Sequence, residues 1–132
     1  QGMIRRRSAD KNIVKTLIAS AEDKSAAAKM LPLKEQTALL IFLGIYESIR
    51  QLGDGMWWLA GYESKSHETS MRILAESEIK GKLQLQKLDR FRKIRNDANY
   101  RGHRVTVEQA REILQFWDAC SRDLIQNIKI RL

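Results

Sequence analysis

The sequence predicts an all-α protein, an antiparallel up-and-down bundle of about five helices. Three observations indicate this fold class. The 132 residues include one proline and seven glycines, too few chain breakers for many short strands and turns. Apolar residues recur at steps of three and four along most of the chain, which is the spacing of one helix face. No segment alternates apolar and polar residues for long enough to predict a strand.

The first helix is expected between a polar cap and a proline. Ser8 or Asp10 could cap its start, and its apolar stripe ends at Leu31. Pro32 has no amide hydrogen to donate and disfavours helical angles at the residue before it. The helix should therefore stop at this point.

The second helix is predicted from Leu33 or Lys34 to Gly61. Its stretch over residues 38–46 is apolar on all sides. An all-round apolar helix must be covered on several faces, so this helix is expected at the centre of the bundle.

A short third helix is predicted over residues 66–77, with Met71 and Leu74 facing inward. His67 falls in register with both, which favours an inward histidine with a hydrogen-bond partner. Glu63 and His67 have the spacing of two metal ligands on a helix. No metal site is expected, because the chain has two histidines and one cysteine.

The last two helices have different signals. The fourth is predicted over residues 82–97, with Leu88 and Phe91 on its inner face; Arg95 follows them at helical spacing and should also point inward. The fifth starts with Thr106-Val-Glu-Gln109, which matches the capping box.

The chain is expected to form one domain over residues 3–132. Gln1 and Gly2 resemble the remainder of a purification tag, and Met3 is expected to be the native start. Cys120 is the single cysteine, so no internal disulfide can form, which favours the cytoplasm. No run of about 20 apolar residues predicts a membrane segment.

Positive charge is concentrated in residues 80–104, called here the basic segment. The net charge of the chain is +8, and this segment has nine basic residues against two acidic ones. The basic residues are Lys80, Lys82, Lys87, Arg90, Arg92, Lys93, Arg95, Arg101 and Arg104. A local basic surplus is typical of a surface that binds polyphosphate, although a solvated helix face would have the same composition.

The stretch from Arg95 to Arg104 predicts a phosphate-binding loop. Arginines suit the geometry of phosphate, and the first amides of the fifth helix add an anion site beside Arg104. RNA cleavage without a metal requires a base, for which His103 is the candidate, and a cation such as Arg95. Asn96 would orient the substrate. The predicted catalytic residues are Arg95, Asn96, Tyr100 and His103, and the predicted nucleic-acid-binding residues are Arg92, Lys93, Arg101 and Arg104.

Structural roles are the alternative for three of these residues. Arg95 could bond the last carbonyls of the fourth helix. His103 could be an exposed loop residue, and Tyr100 could be a core anchor with its hydroxyl at the surface.

Two motifs resemble the C-terminal half of HEPN domains: Arg95-Asn-Asp-Ala-Asn-Tyr100 and Val105-Thr-Val-Glu-Gln-Ala110. Gly61-Tyr-Glu-Ser-Lys-Ser-His67 is similar to the segment before the third helix of that family. The resemblance covers about residues 38–128. It implies a bundle of four or five helices that usually dimerises.

The resemblance also implies a function. Many HEPN domains are metal-independent ribonucleases of toxin–antitoxin or defence systems, and others are partners of small nucleotidyltransferases. The active motif of the family is an arginine, four to six residues, and a histidine. Here seven residues separate Arg95 from His103, and Tyr100 makes the pattern closer to a branch with Ala-Asn-Tyr. In some members a tyrosine near the motif accepts a nucleotidyl group, a role that only Tyr100 could take here.

Three hypotheses follow. The first is an RNA-directed HEPN-like module that acts as a metal-independent endoribonuclease without a cofactor. The second is a catalytically inactive, dimerising partner of a nucleotidyltransferase, toxin or antitoxin, with the tryptophans in the interface. The third is non-specific nucleic-acid binding without chemistry.

Overall fold

A computed structural model describes residues 4–132 and confirms the all-α bundle. Within that range the helices are α1 (Lys11–Lys29), α2 (Ala38–Leu59), α3 (His67–Ala75), α4 (Leu88–Arg101) and α5 (Val107–Lys129), and a 3-10 helix (Lys82–Lys87) leads into α4. The expectations of a tag remnant at Gln1 and Gly2 and of a native start at Met3 lie outside the described residues.

A small sheet corrects the prediction that the chain has no strand. Strand β1 (Ile4–Arg6) pairs antiparallel with β2 (Tyr62–Ser64). Each strand has three residues, which is too short for a period of two to be visible in the sequence. The pairing holds residues 4–6 against residues 62–64, which lie between α2 and α3.

The turn between α1 and α2 corrects the predicted start of the second helix. Helix α1 begins as expected, since the Asp10 carboxylate accepts from the amides of Asn12 and Ile13. Helix α2 begins at Ala38 rather than at residue 33 or 34. The hydroxyl of Thr37 accepts from the Lys34 amide at 3.0 Å, and this local bond holds residues 34–37 in a turn.

Helix α2 occupies the centre of the bundle, as predicted. It packs against α1, α3, α4, α5 and β2. Phe42 joins it to the last two helices, because the Phe91 ring lies edge-on at 6.1 Å from Phe42 and at 5.5 Å from Phe116. Trp117 is also buried in this core, which assigns one tryptophan to packing.

Helix α4 begins later than predicted, because residues 82–87 form the 3-10 helix, and it also ends later. It runs four residues past Asp97 to Arg101 and ends where Gly102 adopts a φ of +67°, a conformation that glycine adopts without strain. The stretch after Asp97 has no regular apolar stripe, so nothing in its pattern indicated that the helix continued. The capping box of α5 is present, with Thr106 and Gln109 exchanging two 3.0 Å hydrogen bonds.

Helices α2 and α3 approach each other closely at Gly53. A Cβ atom at Gly53 would lie 2.3 Å from the carbonyl oxygen of Ser70 and 2.8 Å from its carbonyl carbon. Both are backbone atoms, so only a shift of one helix could make room.

Gly53→Ala is therefore expected to lower the free energy of unfolding by about 1–3 kcal/mol, the usual cost of overpacking. Urea denaturation followed by circular dichroism measures this change. Gly55→Ala is the matched control, since its Cβ would meet Val14 at an ordinary 3.7 Å. Equal effects of the two substitutions would contradict a tight contact at Gly53.

Candidate functional site

Arg95 lies in the middle of α4 and faces the interior, as its spacing predicted. Its guanidinium carbon is 6.0 Å from the centre of the Tyr46 ring on α2. In the hydrogen-bonding orientation of its amide, Asn99 accepts from Nε and Nη2 of Arg95 at 3.2 and 3.1 Å. Because α4 continues to Arg101, the alternative that Arg95 bonds the last carbonyls of the helix is wrong.

His103 does not join Arg95. Its ring Nδ1 lies 3.9 Å from a carboxylate oxygen of Asp97, and its side chain is 63% exposed. Asp97 follows Arg95 by two residues, which corresponds to a rotation of about 200° around a helix. The predicted cation and the predicted base therefore lie on different sides of α4.

The other predicted residues are spread over the surface of the same region. Tyr100 is 77% exposed, so it is not a core anchor. Arg101 approaches Asp97 at 4.0 Å. Asn96 is half-buried, and Lys93 and Arg104 are exposed.

An open groove of about 660 Å³ lies where α4 ends. The groove is lined by residues from the turn before α2 and the start of α2, and from the end of α4 and the loop after it. They are Glu35, Gln36, Leu39, Ala98, Gly102, His103, Arg104 and Val105. The capping box beside it occupies the amides of Thr106 and Gln109. The anion site expected at the start of the fifth helix has fewer free amides for this reason.

The histidine that does lie near Arg95 is His67. Its Nδ1 is 3.0 Å from the hydroxyl oxygen of Tyr46, and the two rings stack with their centres 5.6 Å apart. His67 is half-buried, as its register with Met71 and Leu74 predicted. We call Tyr46, His67 and Arg95 the Tyr46 cluster; it joins α2, α3 and α4.

Burial sets the protonation of the cluster. It raises the pKa of Tyr46 to about 12, so the phenol keeps its proton at neutral pH. Burial also lowers the pKa of His67, and the positive charges of Arg95 and Arg50 lower it further. The imidazole is therefore neutral at pH 7.

A second polar network fixes α3 against α2. Arg50 bonds both Glu47 and Asp54 on its own helix, and the Ser70 hydroxyl of α3 donates to Asp54 at 2.5 Å. Burial alone would raise the pKa of Glu47, but the hydrogen bond and charge of Arg50 hold it below its ordinary value. For Asp54 burial prevails, and its pKa is raised despite Ser70 and Arg50.

Carboxylates neutralise much of the basic segment. Five of its nine basic residues form ion pairs: Lys82 with Glu78, Arg90 with Glu112, Arg92 and Lys93 with Asp89, and Arg101 with Asp97. Within residues 4–132, Lys80, Lys87, Arg95 and Arg104 have no carboxylate within 4.0 Å. Arg95 differs from Arg104 because it is half-buried.

The sequence predicted that Arg95 and His67 face inward, but not that they lie near each other. Helical periodicity indicated each inward position separately, on the third and fourth helices. Nothing in the sequence indicated that both would contact Tyr46, since the apolar run of α2 predicted only a core position.

The fold and the cluster define an all-α helical bundle in which a half-buried arginine and a half-buried histidine contact a buried tyrosine at one helix junction. No family model, no curated protein and no solved structure matches this chain. Over residues 4–132, no helix is long and apolar enough to cross a membrane. The same range contains no group of three or more His, Cys, Asp and Glu side chains placed to hold a metal ion.

The lowered pKa of His67 predicts a pH dependence of stability. The unfolded chain binds a proton at the ordinary value of 6.5, whereas the folded protein binds it only at lower pH. The unfolded state therefore gains protons first, and the free energy of unfolding should fall as the pH drops through 6.5.

Urea denaturation from about pH 8 to about pH 5.5 measures this dependence. His67→Gln should flatten the curve in that range. His103→Gln is the control and should leave the slope as it is. A wild-type slope retained by His67→Gln would assign the dependence to other groups.

Proposed function

We propose that this protein is an RNA-directed, HEPN-like helical module in which Arg95 binds a phosphate of the RNA backbone. One observation supports this best: Arg95 is a half-buried guanidinium with no carboxylate partner among residues 4–132. Removing a cation from water has a cost that an anion can offset. A bound phosphate would be that anion. The motif over residues 95–100 supports the same assignment by resemblance.

The surrounding surface favours a polyanion over a single small anion. Arg92 and Lys93 share the one carboxylate of Asp89, which leaves a net positive charge beside Arg95. Arg101 and Arg104 extend the basic surface to the groove at the end of α4. A flexible chain of phosphates can contact these positions in turn, as single-stranded RNA does in other proteins.

Metal-independent cleavage is the activity we propose for this site. In such a reaction the 2′-hydroxyl oxygen attacks the adjacent phosphorus while a base takes its proton. The bond from phosphorus to the 5′-oxygen breaks, and the departing 5′-oxygen takes up a proton, which leaves a 2′,3′-cyclic phosphate. Arg95 would stabilise the negative charge that develops on the phosphate oxygens. Asn96, adjacent on α4, would orient the substrate, while His103 and Tyr100 would contact RNA that passes over the end of the helix.

The second candidate function is a dimeric partner of a nucleotidyltransferase, toxin or antitoxin. The observation that favours it is the exposure of apolar side chains at one end of the bundle. Leu40 is 60% exposed and Leu39 is 42% exposed, at the start of α2. Leu39 also lines the groove with Ala98. A second copy of the chain would bury these side chains.

Binding of a short single-stranded RNA tests the proposed phosphate contact. Arg95→Gln should weaken binding about 10-fold to 100-fold at low salt, the value of a charge-assisted hydrogen bond. The slope of affinity against salt concentration should fall by about one ion. Fluorescence anisotropy at several salt concentrations measures both. Arg122→Gln removes the same charge from an exposed position on α5 and should have little effect.

An RNA-cleavage assay with a chelator present tests the activity. The wild-type protein should cleave, and Arg95→Gln should lose at least about 100-fold in rate if the guanidinium stabilises the transition state. Cleavage that persists at full rate in Arg95→Gln would rule out the site. Binding without cleavage would leave a binding module, and light scattering over a range of protein concentrations would then test the dimer.

A further inference from the structure

We propose that His67 is the second ligand of the phosphate that Arg95 binds, with Tyr46 holding its ring in place. This inference rests on the proposed function, since it assumes that a backbone phosphate reaches Arg95. It places His67 at the phosphate, whereas the sequence analysis predicted His103 as the histidine of the site, in the role of a base. It also implies that phosphate binding takes up a proton.

Helices α2, α3 and α4 meet at Tyr46. Tyr46 is 99% buried within α2. It contacts His67 through its hydroxyl at 3.0 Å and Arg95 through its ring face at 6.0 Å. His67 and Arg95 are both half-buried. They share one buried neighbour, while solvent still reaches each of them from outside.

The hydrogen bonds that His67 and Arg95 make show which of their donors remain for a phosphate. Tyr46 engages Nδ1 of His67. Within residues 4–132, the hydrogen bond to Tyr46 is the one that the His67 ring makes, and Nε2 has no partner. On Arg95, Asn99 accepts from two of the five N–H groups that a guanidinium carries. The imidazole and the guanidinium therefore both retain donors that a phosphate oxygen could accept from.

Charged side chains on α2 and α4 act on the His67 ring. From α2, Arg50 and Glu47 act on His67; from α4, Arg95 and Arg92 act on it. Arg50 is paired with Glu47 and Asp54, and Arg92 shares Asp89 with Lys93. Among the charges that act on the imidazole, that of Arg95 is the strongest, and it favours an anion beside the ring.

A proton completes the site when phosphate binds. In the free protein these positive charges and burial keep the ring neutral. A phosphate beside Nε2 cancels the positive field and favours the imidazolium form, which donates from both nitrogens. Nε2–H then donates to the phosphate, and Nδ1–H donates to the Tyr46 hydroxyl, which accepts instead of donating. Binding should therefore tighten as the pH falls toward 6.

Proton NMR of the histidine rings tests this inference directly. The chain has two histidines, so the ring Hε1 signals can be assigned with His67→Gln and His103→Gln. The probe is a short oligouridylate with 2′-O-methyl sugars, which binds as RNA does but offers no 2′-hydroxyl for cleavage. The pH titration of each signal is recorded with and without the probe.

We expect the pKa of His67 to rise by about one unit or more when the probe binds, which corresponds to about tenfold tighter binding to the imidazolium. Tyr46→Phe keeps the ring and removes the hydroxyl, so it should reduce this rise while the probe still binds through Arg95. In Arg95→Gln the rise should disappear. A folded His67→Gln should bind the probe with an affinity that no longer increases below about pH 7.

Other outcomes separate this inference from the proposed function. If Arg95→Gln abolishes binding but the His67 titration does not move with the probe, His67 is not a ligand and Arg95 binding stands. If the His103 signal moves instead, the phosphate lies in the groove at the end of α4 and the inference is overturned. If the wild-type protein does not bind the probe at all, the proposed function fails and this inference fails with it.

Discussion

The hydroxyl of Tyr46 lies 3.0 Å from Nδ1 of His67, at the point where α4 brings Arg95 against the face of the same ring. Removing a phenol from water is costly unless its hydroxyl finds a partner. His67 supplies that partner, and the aromatic face gives the Arg95 guanidinium a favourable surface. The junction of α2, α3 and α4 depends on this one buried side chain, and so does the position of both site residues.

The contact between α2 and α3 determines where His67 lies. Gly53 lets the backbone at Ser70 approach α2 closely, and the Ser70 hydroxyl then reaches Asp54. Asp54 is in turn held by Arg50. A polar network of this kind is stable only when each member has a partner. It places the start of α3, and His67 with it, beside Tyr46.

In the folded protein, carboxylates neutralise much of the charge of the basic segment. Five of its nine basic residues acquire carboxylate partners, and two of those carboxylates, Glu78 and Glu112, lie outside the segment. Exposed ion pairs contribute only about 0–1 kcal/mol each and are easily exchanged for other anions. Among the arginines of the segment, Arg95 is the one that is half-buried and bonded to neutral groups. The useful feature is therefore one arginine in a particular environment rather than the total charge.

The sequence by itself determined the features that depend on neighbours within a few residues. Asp10 and Thr106 cap their helices as predicted, and α2 is central because its residues are apolar on all sides. The inward registers of His67 and Arg95 were also readable, since helical periodicity fixes the face on which a side chain lies.

Only the tertiary structure decided which inward residues meet. His67 and Arg95 are 28 positions apart, and His103 is nearer to Arg95 in sequence. Two residues on one chain segment can still point about 200° apart on a helix, whereas residues on separate helices meet wherever the helices cross. The pairing of β1 with β2 and the point at which α4 ends were decided in the same way. Capping and periodicity act within a turn or two of helix, but the contacts that build this site depend on how whole helices pack.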